Sequence, residues 1–241
     1  VCVHAEKAHL IGQEGNTLRF DFPPVASQTS ILQSRKAIRI EDVDEYLELT
    51  KVRIIDDMIY CCGQLGQLYR RTTDSWTRAD QGYRSMDARD FEDIGGTSAN
   101  DLYGIGLEGE MTRFDGTRWQ PVELPTNQNL NAIIATGTNQ LVVAGYNGLV
   151  LKGHTDAWDL IGEVKQETHY WDVAWHDDVC YLLHSTGIDY VNGDVIDAVE
   201  LQDRPNSTLR RFVSGNGQLW IISEKELHLL DGGICRRATL I

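Results

Sequence analysis

MIYCCGQLGQLYRRTTDSW (58–76), DLYGIGLEGEMTRFDGTRW (101–119) and QLVVAGYNGLVLKGHTDAW (140–158) share one register. Each carries an apolar run, turns at a glycine and reaches a tryptophan ten residues later: Gly66 with Trp76, Gly109 with Trp119, Gly148 with Trp158. Weaker copies follow at 179–194 and 218–233, and a first copy sits at 7–22. The marker position runs Gly15, Gly66, Gly109, Gly148, Gly187 and Glu226. Its last three steps are 39 residues, the second is 43 and the first is 51. A period of about 40 residues with several short strands per unit predicts a β-propeller.

Each unit reads as four strands separated by turn residues. Around Asn131 these are LNAIIATG, QLVVAG, LVLKG and the Trp158 segment. The second strand is continuously apolar, as a strand covered on both faces requires. Its closing glycine suits a turn with positive φ. Asp115-Gly116, Asn192-Gly193 and Asp231-Gly232 are hairpin turns between third and fourth strands. The expectation is all-β: one six-bladed propeller, four antiparallel strands per blade, with five or seven blades as the alternative. The single domain spans 1–241, with blades near 1–50, 51–90, 91–128, 129–168, 169–207 and 208–241. The first and last units look complete, so closure is expected from face-to-face packing and not from a shared strand. The segment 23–50 is too long for one outer strand, and EDVDEYLEL (41–49) reads as a short helix or protruding loop. Gly66, Gly109, Gly148, Trp76, Trp119 and Trp158 are assigned structural roles, because equivalence across blades argues for packing.

A chain of this length buries enough surface to need no staples. Its five cysteines, Cys2, Cys61, Cys62, Cys180 and Cys235, read as reduced core thiols of a cytoplasmic protein. Cys61 and Cys62, adjacent on a strand, point to opposite faces. No run of 18 apolar residues occurs, so no membrane partner is expected.

Lys and Arg total 22 against 36 Asp and Glu, a net charge of −14. That disfavours direct nucleic-acid binding and favours basic partners. The acids gather in the connections from an outer strand to the next inner strand. Glu41, Asp42, Asp44 and Glu45 accompany Tyr46; Asp80, Asp87 and Asp90 accompany Tyr83; Glu167 precedes Tyr170 and Trp171. Acids interleaved with aromatics suit a protein interface, and these residues, with Tyr46 and Tyr83 as anchors, are the partner-binding candidates.

No nucleophile elbow, phosphate loop or zinc-protease motif occurs. Gly104-x-Gly106-x-x-Gly109 matches the dinucleotide fingerprint by spacing, but a strand follows where a helix is required. His176 with Asp177-Asp178 falls on an inner-to-second strand turn, where such residues are ordinary turn chemistry. No catalytic residue, cofactor or metal ligand is assigned.

SANDLYGIGLEGEMTRFDGTRW (98–119) resembles repeats of bacterial sialidase-like and photosystem-assembly-factor-like propellers, and TTDSW, FDGTRW and HTDAW look like degraded Asp-boxes. The resemblance covers 60–238. A compact acidic propeller without a catalytic set is also similar in type to immunity proteins of interbacterial toxins, including those of type VI secretion. That similarity implies a non-enzymatic cytoplasmic protein that occludes the groove of a basic toxin, a nuclease in the sharpest form. Such a protein is a monomer or a one-to-one heterodimer with its toxin. The alternatives are a sialidase-like glycan-binding or glycan-processing propeller and a general interaction scaffold.

Overall fold

The computed structural model describes residues 2–4, 7–11, 16–21, 38–41, 43, 47–84, 88–137, 139–163, 167–203, 205–215 and 217–238, the first sheet by its backbone. The described strands form six sheets. Their inner strands are Cys2–His4, Leu49–Ile55, Asp93–Ser98, Leu130–Ala135, Asp172–His176 and Leu209–Gly215. Each inner strand touches the next, and Cys2–His4 touches both Leu49–Ile55 and Leu209–Gly215, so the sheets close into a ring.

The sequence expectation of six blades of four antiparallel strands is corrected here. Five sheets are blades of four antiparallel strands. The other takes a fifth strand, Glu200–Leu201, which pairs parallel with the outer strand Ile234–Arg237. This segment belongs to the connection entering that sheet, and laying it on the edge strand satisfies backbone groups that water would otherwise have to serve. The described part of the expected helix or loop at 41–49 is a turn at Glu41 and the start of the inner strand at Leu49.

The second strands behave as their composition dictates. Met58–Gly63, Asp101–Ile105 and Leu141–Gly145 are buried almost throughout, because a neighbouring sheet covers each face. Cys61 accordingly packs in one apolar cluster with Ile40 and Trp76, while Cys62 packs in the next with Phe91 and Ile94. Burial pushes the Cys62 and Cys180 thiols up to about 12, so neither supplies a thiolate at neutral pH.

The repeat glycines close one-turn 3-10 segments: Gln64–Gly66, Leu107–Gly109 and Tyr146–Gly148. Each takes a left-handed φ, +65° at Gly66, +74° at Gly109 and +73° at Gly148. A Cβ on Gly109 would lie 2.4 Å from the Thr126 carbonyl oxygen, so the glycine also lets the next connection approach. Of the fingerprint-like glycines, Gly106 and Gly109 therefore serve a turn, with the strand Met111–Phe114 following, while Gly104 lies within the strand Asp101–Ile105. The three tryptophans sit at the start of equivalent outer strands, first in two and second in Ala157–Leu160, opposite Arg71, Phe114 and Gly153. Trp76 and Trp158 are buried; Trp119 is half-buried.

Candidate functional site

An up-and-down meander gives the ring two rims. The inner-to-second and third-to-fourth turns form the lower rim. The second-to-third turns and the connections between sheets form the upper rim. The axial channel is blocked towards the upper rim, where Lys51 and Arg53 of the second sheet meet Asp93 of the third and Asp172 of the fifth. Arg53 donates to both Asp93 oxygens, at 3.0 and 2.5 Å, and to Asp172 at 2.8 Å. Lys51 Nζ lies 3.0 Å from Asp172 and donates to the Trp171 carbonyl at 3.2 Å. The remaining carboxylate capacity binds backbone: Asp93 accepts the Ile133 amide at 3.0 Å and Asp172 the Phe212 amide at 2.9 Å. One buried network thus ties five inner strands. Burial opposes ionisation of Asp172, but Lys51 and Arg53 outweigh it and hold the carboxyl well below the usual carboxylate range. Below this plug the channel widens into a cavity of about 830 Å³ with walls from Ile94, Ile133, Val173 and Phe212, reaching the lower-rim turns at Asp56, Asn139 and Gly217.

The two rims carry different acids. Lower-rim turns use aspartate where the backbone asks for it: Asp56, Asp57, Asp177 and Asp178 hold φ of +49°, +58°, +48° and +59°. Short polar side chains tolerate that region better than others. Asp115 binds the Thr117 and Arg118 amides of its own turn at 2.9 and 3.0 Å. Glutamate has no such turn chemistry, yet the described glutamates other than Glu163 and Glu200 lie on the upper rim, where Glu226 accepts a backbone amide, that of Asn206 at 3.2 Å. Glu41, Glu48, Glu92, Glu123 and Glu167 are in the connections, and Glu108, Glu110, Glu224 and Glu226 are in second-to-third turns.

Of the residues expected to bind a partner, Asp42, Asp44, Glu45, Tyr46 and Asp87 lie outside the described residues. Glu41, Asp90 and Glu167 are exposed on the upper rim. Asp80 requires correction: it is buried, paired with Arg78 at 2.7 Å and bonded to the Gly82 amide at 3.1 Å, so its carboxylate serves the connection itself. Tyr83 is half-buried and stacks on Phe91, ring centroids 5.0 Å apart.

Three features were not singled out from sequence. Leu107 and Tyr146, at matching positions of two glycine turns, are 49% and 37% exposed on the upper rim. Tyr146 packs on His169, centroids 4.6 Å apart, and His169 on Trp171 at 5.9 Å. A cleft of about 480 Å³ opens between the connection that follows the second sheet and the third sheet, walled by Tyr83, Trp119 and Met111 and edged by Asp90, Glu108, Glu110 and Glu123. Among the described residues, no group of three or more His, Cys, Asp or Glu is arranged to hold a metal, and no helix is long and apolar enough to cross a membrane.

No family model matches the chain. It is 32% identical over 186 residues to Immune protein Tsi7 of Pseudomonas aeruginosa. That alignment takes in 75% of this chain and 61% of the relative, so the chain spans less than two thirds of that protein's length. Among solved structures it resembles a chain of the nidogen/laminin complex at TM-score 0.65 and 13% identity, covering 93% of this chain and 89% of that one. Virginiamycin B lyase from Staphylococcus aureus matches at TM-score 0.65 and 12% identity, covering 98% and 78%. YCF48 bound to D1 peptide matches at 0.62 and 12%, covering 97% and 78%. At these identities the structural likenesses speak for the propeller fold alone. The resemblance in type to immunity proteins, first suggested by acidity and compactness, has a sequence relative behind it.

Proposed function

We propose that this chain is an immunity protein, a non-enzymatic propeller that neutralises a toxin by binding it across the upper rim. The observation that carries the reading is the 32% identity over 186 residues to Immune protein Tsi7. The rim's chemistry supports the rest. Exposed Leu107 stands beside the cleft edged by Glu108, Glu110 and Glu123, and the Tyr146–His169–Trp171 cluster follows Glu167 in the same rim, a pattern of apolar anchors beside charge. The partner is a basic toxin, and a nuclease fits best: a groove built for phosphates attracts a carboxylate rim, and occupying it excludes nucleic acid. Glu41, Asp90 and Glu167 take part in that contact, with the acids of the 41–45 segment and Asp87. The complex is one-to-one and cytoplasmic.

The plug argues against the glycan-processing alternative. That chemistry needs a carboxyl able to donate a proton and a second able to attack or accept one. Asp93 and Asp172 are neutralised in the channel by Lys51 and Arg53. The test is to mix the chain with the toxin encoded beside its gene and follow cleavage of nucleic acid. Complete inhibition at one equivalent is expected. Undiminished cleavage with excess chain present would end the nuclease reading, and absence of any complex would end the immunity reading.

A further inference from the structure

The cleft between the 83–91 connection and the third sheet combines two features that bind the same kind of group. One wall is aromatic: Tyr83, Phe91 and Trp119 form a three-ring cluster, with Tyr83 stacked on Phe91 at 5.0 Å and Trp119 tilted against both at 5.2 and 5.6 Å. This wall is fixed from behind, since the Trp119 indole donates to the Asp80 carbonyl at 2.7 Å. A Cβ on Gly104 would lie 2.2 Å from the Phe91 ring, so the glycine lets that ring sit flat against the strand. The opposite edge is anionic, with Asp90, Glu108, Glu110 and Glu123. One oxygen of Asp90 is committed to the Leu65 amide at 2.8 Å. Arg89 is the only cation lining this space among the described residues, and its Nε lies 3.1 Å from Glu110. Arg89 is 67% exposed at its side chain, so this pairing is a loose surface contact. Burial raises the Tyr83 hydroxyl pKa, and nearby Glu110 adds to the rise, in keeping with a carboxylate facing the ring.

We infer that this cleft is a socket for an arginine side chain of the toxin, with the guanidinium stacked on the Trp119 ring beside Tyr83 and bonded to the Glu110 and Glu123 carboxylates. Charge complementarity selects a cation, since four carboxylates face one resident arginine. The Trp119 ring in that wall selects guanidinium over ammonium, because guanidinium stacks on a ring face while its donors remain free in the plane for carboxylates. Arg89 already shows that the anionic edge accepts that group. The inference rests on the upper rim being the toxin-facing surface, and it names the side chain that this rim reads.

The test uses hexa-arginine and hexa-lysine peptides with the intact chain and follows the Trp119 indole resonance, assigned by its loss in Trp119→Phe. Hexa-arginine should shift that resonance. Glu110→Gln with Glu123→Gln should weaken the peptide about tenfold, the sum of two partly exposed ion pairs. Asp177→Asn with Asp178→Asn on the lower rim should leave affinity unchanged. Equal binding and equal shifts with hexa-lysine, a silent Trp119 resonance, or equal weakening by the lower-rim pair would each overturn the socket. No toxin is present, so the two readings fail separately. A chain that seats hexa-arginine but does not protect against the toxin sinks the immunity reading. A chain that protects fully with both glutamates neutralised, and whose cleft ignores hexa-arginine, sinks the socket alone.

Discussion

The two rims of this ring are both acidic, and they are acidic for different reasons. On the lower rim, aspartates occupy left-handed turn positions or cap their own turns, as Asp178 and Asp115 do. On the upper rim, glutamates such as Glu108, Glu110 and Glu123 edge a cleft and flank exposed Leu107. Net charge alone treats the rims alike. Asking which acids the backbone needs separates them, and it leaves the upper rim with charge that folding does not explain.

The plug offers the largest effect by which to sharpen the contrast. Asp172→Ala should destabilise the fold by about 3–5 kcal/mol, because it strands Lys51 and Arg53 as buried charges beside one remaining carboxylate. Denaturant unfolding measures this, and a loss under about 1 kcal/mol would show the network to be more hydrated than its burial implies. Trp158→Ala comes next, at roughly 3–5 kcal/mol for a buried tryptophan, with Trp119→Ala smaller because that ring is half-buried at the cleft. Equal losses at the two sites would argue that the cleft wall is as closed as the core.

Acid should expose the same network. The Asp172 pKa is depressed in the folded state, so its contribution is complete above the unfolded value, about 3.9, and is lost as pH falls through the lower folded value. Melting temperature should therefore hold to about pH 5 and drop below about pH 4, with a shallower acid drop in Asp172→Asn. The smallest effect belongs to the lower rim. Asp178→Ala should cost about 1 kcal/mol, since alanine resists φ of +59°, and Asp178→Gly should cost less. A larger loss in toxin binding than in stability at Asp178 would break the distinction between the rims.

Much of the fold is legible in the chain. The Gly66, Gly109 and Gly148 turns repeat with their tryptophans because each unit solves the same turn problem, and continuous apolar runs mark strands covered on both faces. The parallel Glu200–Leu201 addition was not legible, since a two-residue edge pairing leaves no periodic trace. The plug left a signal that could have been followed: Asp93 and Asp172 stand at matching places, each just before the apolar residues of an inner strand, in EDI and WDV. Lys51 and Arg53 gave no comparable hint, because their partners are remote in sequence, those of Arg53 lying 40 and 119 residues away. The site was legible as a face and not as residues. Asp80 and Tyr83 look like any surface acid and aromatic until Trp119 of the next sheet packs against them.

The central claim, that the upper rim carries recognition and the lower rim carries turn structure, is tested most directly by paired charge reversal. Glu108, Glu110 and Glu123 changed to Lys form one variant; Asp57, Asp74 and Asp156, all exposed in lower-rim turns, changed to Lys form the other, with the same change in net charge. Association with the toxin encoded beside the gene is then measured by stopped flow at low and high salt. The upper-rim variant should associate at least about tenfold more slowly at low salt, with the gap narrowing as salt rises, while the lower-rim variant should stay close to wild type. Equal slowing by both variants would mean that net charge alone steers the toxin and would contradict the account.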